Sequence, residues 1–150
     1  MGRLSHGLLA GAAGTTLLDI ATYVDMAVRG RPASSVPAES ADRLARKAGI
    51  SLGEREAADV RRTAIGALLG YASGLSAGIV YGAVAPALGW LPQPMRAVGL
   101  GLGVMATTAV SNALVGTSDP RTWSVSDWVE DLVPHVAYGV GTVAAFDAMS

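Results

Sequence analysis

The chain has 150 residues, 51% of them hydrophobic but only 5% aromatic, with 19 glycines and a formal net charge of −1. The near-neutral charge excludes the basic field that nucleic acid would require. The lack of cysteine excludes disulfides, thiolate metal sites, iron–sulfur clusters and a cysteine nucleophile.

At about 20 apolar residues per crossing, such a length is better counted in membrane spans than in soluble domains. Residues 1–150 are expected to form a single transmembrane domain. Its first span is expected over residues 4–28. This stretch is apolar from Leu4 to Leu18, then carries Asp19, Thr22, Tyr23 and Asp25. Arg3 with the apolar run imitates a secretory signal. The polar cluster that follows has no cleavage site and the helical pattern continues to Val28, which favours an uncleaved span.

Residues 29–63 form the one strongly polar loop. Pro32 and Pro37 keep its start extended, and a short helix is expected over 38–48, stopped by Gly49. Ser51-Leu-Gly-Glu54 spells a capping box, in which the serine takes a free N–H and the glutamate reaches back. It would start a helix running through Arg62 into the second span, 64–87.

That span holds Gly66, Gly70, Gly74, Gly78 and Gly82, within a run from Thr63 to Met95 that has no charged side chain. In water each interior glycine costs a helix roughly 1 kcal/mol against alanine. In a bilayer, small residues let helices approach closely. This glycine zipper is read as a helix-packing surface. Each step of four residues advances about 400°, so the stripe winds by about 160° along its length. One steeply crossing helix, or two partners, would be needed to follow it.

Leu91-Pro-Gln-Pro94 is a tight connector to a third span at 95–115, with Gly116 at its exit. Thr117-Ser-Asp-Pro120 is a turn. The fourth span is expected over 126–148. Ser126 ahead of Asp127, Glu130 and Asp131 makes a favourable helix start. Trp123 and Trp128 are placed as interfacial anchors, and Pro134 would bend the helix. Ala13–Asp19 and Met105–Ser111 echo each other, which is either a parallel two-helix repeat or chance similarity.

Counting Arg29, the first loop holds eight of the 11 basic residues; Arg121 lies in the third loop, and only Arg3 and Arg96 lie opposite. This bias puts the first and third loops in the cytoplasm and both termini outside. The fold expected is an all-α membrane protein, four transmembrane helices in a small-residue-packed bundle, multi-pass in the plasma (inner) membrane. A soluble four-helix bundle would need charged outer faces on the second and third spans, and they have none.

Ionisable groups inside a membrane are costly and face a bundle interior, pair, or mark a pathway. Trp128, Asp131, His135, Tyr138 and Thr142 share one side of the fourth span. Thr15, Asp19, Thr22, Tyr23 and Met26 share one side of the first, and the third offers Thr108 and Asn112. The candidate site is a cytoplasm-facing polar cavity formed by Asp19, Tyr23, Asn112, Asp131, His135 and Tyr138. Asp131 would favour the charged form of His135. The structural alternative is that these groups only tie helices together.

Other chemistry finds little support. His6 and His135 would differ by roughly 20 Å in height, too far for one haem iron. There is no zinc spacing and no nucleophile turn. Gly99-x-Gly101-x-Gly103 follows no strand and is no nucleotide fingerprint. Asp25 and Arg29, one turn apart, would pair. The loop arginines orient the chain or contact anionic lipid.

Asp19-Ile-Ala-Thr-Tyr-Val-Asp-Met-Ala-Val-Arg-Gly-Arg-Pro-Ala-Ser34, Ser118-Asp-Pro-Arg-Thr-Trp-Ser-Val-Ser-Asp-Trp128 and Val133-Pro-His-Val-Ala-Tyr-Gly139 resemble a group of small uncharacterised actinobacterial integral membrane proteins. The resemblance covers most of the chain. It implies a four-span plasma-membrane protein and carries no activity, cofactor or catalytic residue. The function expected is therefore a non-enzymatic packing, accessory or scaffold subunit. The alternative is a small oligomeric transporter or channel, linked to protons or cations. Neither a cofactor nor a metal is expected. The expected partners are the lipid bilayer and either further copies of the chain or a larger membrane complex.

Overall fold

A computed structural model describes residues 2–150, which form five α-helices and no strand. Helix α1 is Arg3–Arg29, α2 is Val36–Lys47, α3 is Arg55–Val84, α4 is Gln93–Val115 and α5 is Val125–Met149. A 3₁₀ turn, Ala85–Leu88, extends α3, and another, Pro120–Thr122, lies before α5.

Local chemistry sets these limits. Pro94 enters α4 where no N–H is needed. Gly116 ends α4 in the left-handed region, at φ +85°, and its N–H reaches back to Asn112 and Ala113. The expected capping box at Ser51 and Glu54 does not form. Gly53 stands at φ +92° and donates its N–H to the Ser51 hydroxyl at 3.2 Å. The serine is thus spent on a turn, and α3 begins without a side-chain cap. The capping box lies instead at α5, and its cap is Ser124 rather than Ser126. Ser124 accepts from the Asp127 N–H at 3.2 Å, and Asp127 accepts from the Ser124 N–H at 2.8 Å. Asp127 stands three residues after Ser124, the spacing that satisfies two free donors at once.

Three helices are long and apolar enough to cross a membrane: α1, α3 with its 3₁₀ extension, and α4. This corrects the expected count of four. Helix α5 has the length but is not among them; Asp127, Glu130, Asp131, His135 and Asp147 lower its hydropathy along the chain. It is also the most enclosed helix, burying Pro134, Tyr138, Gly139, Gly141, Thr142, Val143 and Phe146.

The long helices run alternately up and down. Helix α1 packs between α3 and α5, and α5 packs between α1 and α4, while α3 and α4 scarcely meet. Backbone approaches backbone at each crossing. A Cβ on Gly11 would lie 2.8 Å from the Gly74 carbonyl, where α1 crosses α3. One on Gly141 would lie 3.1 Å from the Gly14 Cα, where α5 crosses α1. One on Gly101 would lie 2.5 Å from the His135 carbonyl, where α4 crosses α5. Such proximity is the packing that lipid-embedded helices use.

The glycine stripe of α3 is divided between two partners. Gly74, Gly78 and Gly82 face α1, Gly66 faces the backbone of Pro37 in α2, and Gly70 meets nothing within 4 Å. Helix α2 lies across the gap between α3 and α4, with Ser40 and Ala41 buried. Outside, large apolar side chains stand free: Leu68 is 66% exposed and Leu114 78%.

Candidate functional site: polar groups within the bundle

Five of the six residues of the expected cavity fall into distinct hydrogen-bonded groups, and the sixth, Tyr23, stands apart. Asp131, His135 and Thr108 come together where α4 crosses α5. His135 donates from Nδ1 to the Asp131 carbonyl at 2.7 Å, and the Asp131 carboxylate lies 3.4 Å from the same nitrogen. A carbonyl only accepts, so Nδ1 carries a proton. On the other side of the ring, Nε2 lies 3.4 Å from the Thr108 hydroxyl. That hydroxyl also reaches the Met105 carbonyl at 2.9 Å. The second Asp131 oxygen is buried without a partner.

Tyr138, one helical turn from His135, belongs to a different contact. It is 1% exposed and donates its hydroxyl to the Gly74 carbonyl at 2.6 Å, linking α5 to α3. Asp19 accepts from the Tyr71 hydroxyl at 3.2 Å, linking α1 to α3. Tyr23 is 63% exposed. Asn112 accepts from the Ser40 hydroxyl at 3.1 Å, and Ser40 also meets Thr117 at 3.0 Å. These bonds pin α2 to the end of α4.

An ion cluster closes the α2 end of the bundle. Arg29 donates to Glu130 at 2.8 Å and to Ser126 at 2.7 Å, and it lies 3.5 Å from Asp25. Arg31 donates to Asp25 and lies 3.7 Å from Glu130. The Asp25–Arg29 pair is thus half of a four-charge cluster joining α1 to α5. In the loop beside it, Asp119 accepts from Arg121 Nη2 at 2.7 Å and from the Arg121 backbone N–H at 3.0 Å. The guanidinium holds the Asp119 carboxyl below its usual range, and the carboxylate in turn raises Arg121.

At the opposite end, Arg96 of α4 grips Asp147 of α5 with two bonds of 2.9 Å. Arg96 also donates to the Tyr81 hydroxyl at 3.1 Å, and Gln93 donates to Asp147 at 3.2 Å. Tyr81 stacks edge-on against Phe146, with centroids 5.3 Å apart. Sequence reading passed over this constellation, although a signal was present. Arg96 is the single charge between Arg62 and Asp119, and Asp147 the single carboxylate after Asp131. Two lone opposite charges near the ends of antiparallel helices are natural partners.

Two pockets open beside these groups. One, of about 410 Å³, is lined by Arg3, His6, Pro86, Arg96, Phe146 and Asp147. The other, of about 540 Å³, lies between α2, the start of α3 and the end of α4. Among the described residues, no three His, Asp or Glu side chains are grouped as metal ligands would be. Comparison with family models, with curated proteins and with solved structures finds no match.

Proposed function

We propose that the chain is a non-enzymatic accessory or scaffold subunit of the plasma membrane, which docks a transmembrane helix of a partner protein on the outer face of α4. One observation carries this reading. Only 11% of the apolar window of α4 is buried, and its free side presents Gly99, Gly103, Thr107 and Ser111 at every fourth residue. No atom of the chain would touch a Cβ on Gly99 or Gly103. Thr107 and Ser111 bond back to Gly103 and Thr107 carbonyls, leaving the stripe small and flat. Equivalent glycines on the inner side of α4 and on α1 are where this chain brings its own helices together.

In this reading α5 runs within the bundle, against the spanning helices α1 and α4. Its ionisable groups are paired inside the bundle or lie at its ends. The basic residues of the α1–α3 connection favour a cytoplasmic α2 end, which would leave both termini outside.

The test is recovery from native membranes in mild detergent, with mass spectrometry of what accompanies the chain. A stoichiometric partner that is lost on Gly99→Leu with Gly103→Leu, but kept on Gly70→Leu, supports the proposal. A chain recovered without companions, whatever stands at 99 and 103, overturns it.

A second reading, a proton- or cation-linked transporter or channel, draws on the Asp131–His135–Thr108 group and its unpartnered carboxylate oxygen. It predicts pH-dependent flux in liposomes that Asp131→Asn and His135→Ala abolish. Flux that survives both substitutions removes it.

A further inference from the structure

The α2 end carries a feature that the docking face of α4 does not use. The pocket of about 540 Å³ is walled by Arg43, Arg46 and Lys47 of α2 and by Arg62 of α3, and Val115, the last residue of α4, forms its apolar side. Two carboxylates, Glu39 and Asp42, share the wall. Glu39 accepts from the Ser35 hydroxyl at 2.6 Å, and Asp42 pairs with Arg46 at 2.8 Å. Arg62 lies 3.4 Å from Asp59. Arg43 and Lys47 make no ion pair among the described residues. The pocket therefore keeps two cations outside any ion pair, Arg43 and Lys47, against one such carboxylate, Glu39, and its balance is positive.

The sequence builds this arrangement locally. Arg43, Arg46 and Lys47 recur at helical spacing along α2, in the rows beside the buried Ser40. Gly116 leaves room for Arg43, since a Cβ there would lie 2.8 Å from its Nη1. The hydrogen bonds of Ser40 to Asn112 and Thr117 hold α2 across the pocket.

Its height matters as much as its charge. Arg62 is the last charged residue before the uncharged run of α3, and Val115 is the last residue of apolar α4. In a bilayer crossed by α3 and α4, both would stand where hydrocarbon gives way to headgroups, the level at which a phospholipid carries its phosphate.

We infer that this pocket binds a phosphate group borne on a hydroxylated lipid headgroup, such as a glycerol phosphodiester. Arg43 and Lys47 neutralise the phosphate. Val115 meets the start of the acyl region. Glu39 and Asp42 accept from headgroup hydroxyls, and they disfavour a headgroup that brings a further negative charge. The volume lies within the range of small-molecule sites.

Calorimetric titration of the full-length chain in non-ionic detergent tests this, with dioctanoyl phosphatidylglycerol as probe and dioctanoyl phosphatidylcholine as reference. One saturable phosphatidylglycerol site is expected. Arg43→Gln with Lys47→Gln should weaken it roughly 30-fold, taking about 1 kcal/mol per basic residue at the membrane surface. The exchanged pair Arg43→Lys with Lys47→Arg should retain binding. Arg121→Gln, which removes a cation at the same end outside the pocket, should leave it unchanged. Equal binding of phosphatidylcholine, or equal weakening by Arg121→Gln, overturns the inference. Displacement of the lipid by millimolar inorganic phosphate would assign the site to the free anion, and retention of the lipid assigns it to the headgroup.

Discussion

Arg96 and Asp147 face each other across the α4–α5 crossing in a two-pronged ion pair, Nη1 to Oδ1 and Nη2 to Oδ2, both at 2.9 Å. Their side chains are 15% and 31% exposed. Tyr81 joins from α3, so three helices meet at this one guanidinium.

Removing one partner leaves the other charge poorly solvated. Asp147→Asn is expected to cost about 2–3 kcal/mol, below the value for a fully buried pair because water reaches part of this one. Arg96→Met with Asp147→Leu should recover much of that loss. Thermal unfolding of the single and double variants in detergent checks both statements. Additive losses would show that the pair is not coupled.

The glycines of α3 should respond unequally to one added methyl. At Gly78 a Cβ would lie 2.5 Å from the Gly11 Cα, and backbone cannot turn aside. Gly78→Ala is expected to destabilise by about 1–3 kcal/mol. At Gly70 nothing lies within 4 Å, so Gly70→Ala should be neutral or stabilising by up to about 1 kcal/mol. Unfolding midpoints of the two variants measure the difference. Similar midpoints would contradict the α1–α3 crossing.

Tyr138→Phe keeps the ring and removes the bond to the Gly74 carbonyl. The expected loss is about 1 kcal/mol. Protease access to α3 should rise with it. No change in either would mean that the hydroxyl does not join α5 to α3.

The loop pair of Asp119 and Arg121 sets a pH dependence. The folded pKa of Asp119 is depressed by the neighbouring guanidinium. A depressed carboxylate stabilises above its unfolded pKa, and that contribution fades as pH falls through the folded value. Asp119→Asn should therefore weaken the Pro120–Thr122 turn at neutral pH and make no difference in strong acid. Carboxyl chemical shifts across a pH titration would check it. An Asp119 that titrates at or above the ordinary carboxylate range refutes the pairing.

Much of the helical content and the apolar character was legible because both follow from local pattern. Runs without charge, proline at helix entrances and glycine at exits act within a turn or two of chain. Caps were less legible, because several serines competed. Ser51, Ser124 and Ser126 look alike in sequence, and the neighbouring backbone decides which one caps. The expected cavity was drawn from residues that share helix faces. Face-sharing does not say which helix lies opposite, and Asp19, Asn112, Tyr138 and His135 each found a different neighbour.

Composition and hydropathy alone established that the chain is helical, that it carries long apolar runs suited to a bilayer, and that small residues outnumber aromatics; they overcounted the spans at four where three helices qualify. How the α3 stripe is shared between α1 and α2 emerged from the packing. It also decided that Arg96 finds Asp147 across 51 residues of chain, and that Gly99 and Gly103 stay open while Gly101 is filled. The physical reason is that hydropathy and spacing set what a helix surface offers. Which surfaces meet depends on crossing angle and rotation, fixed jointly by every helix in the bundle.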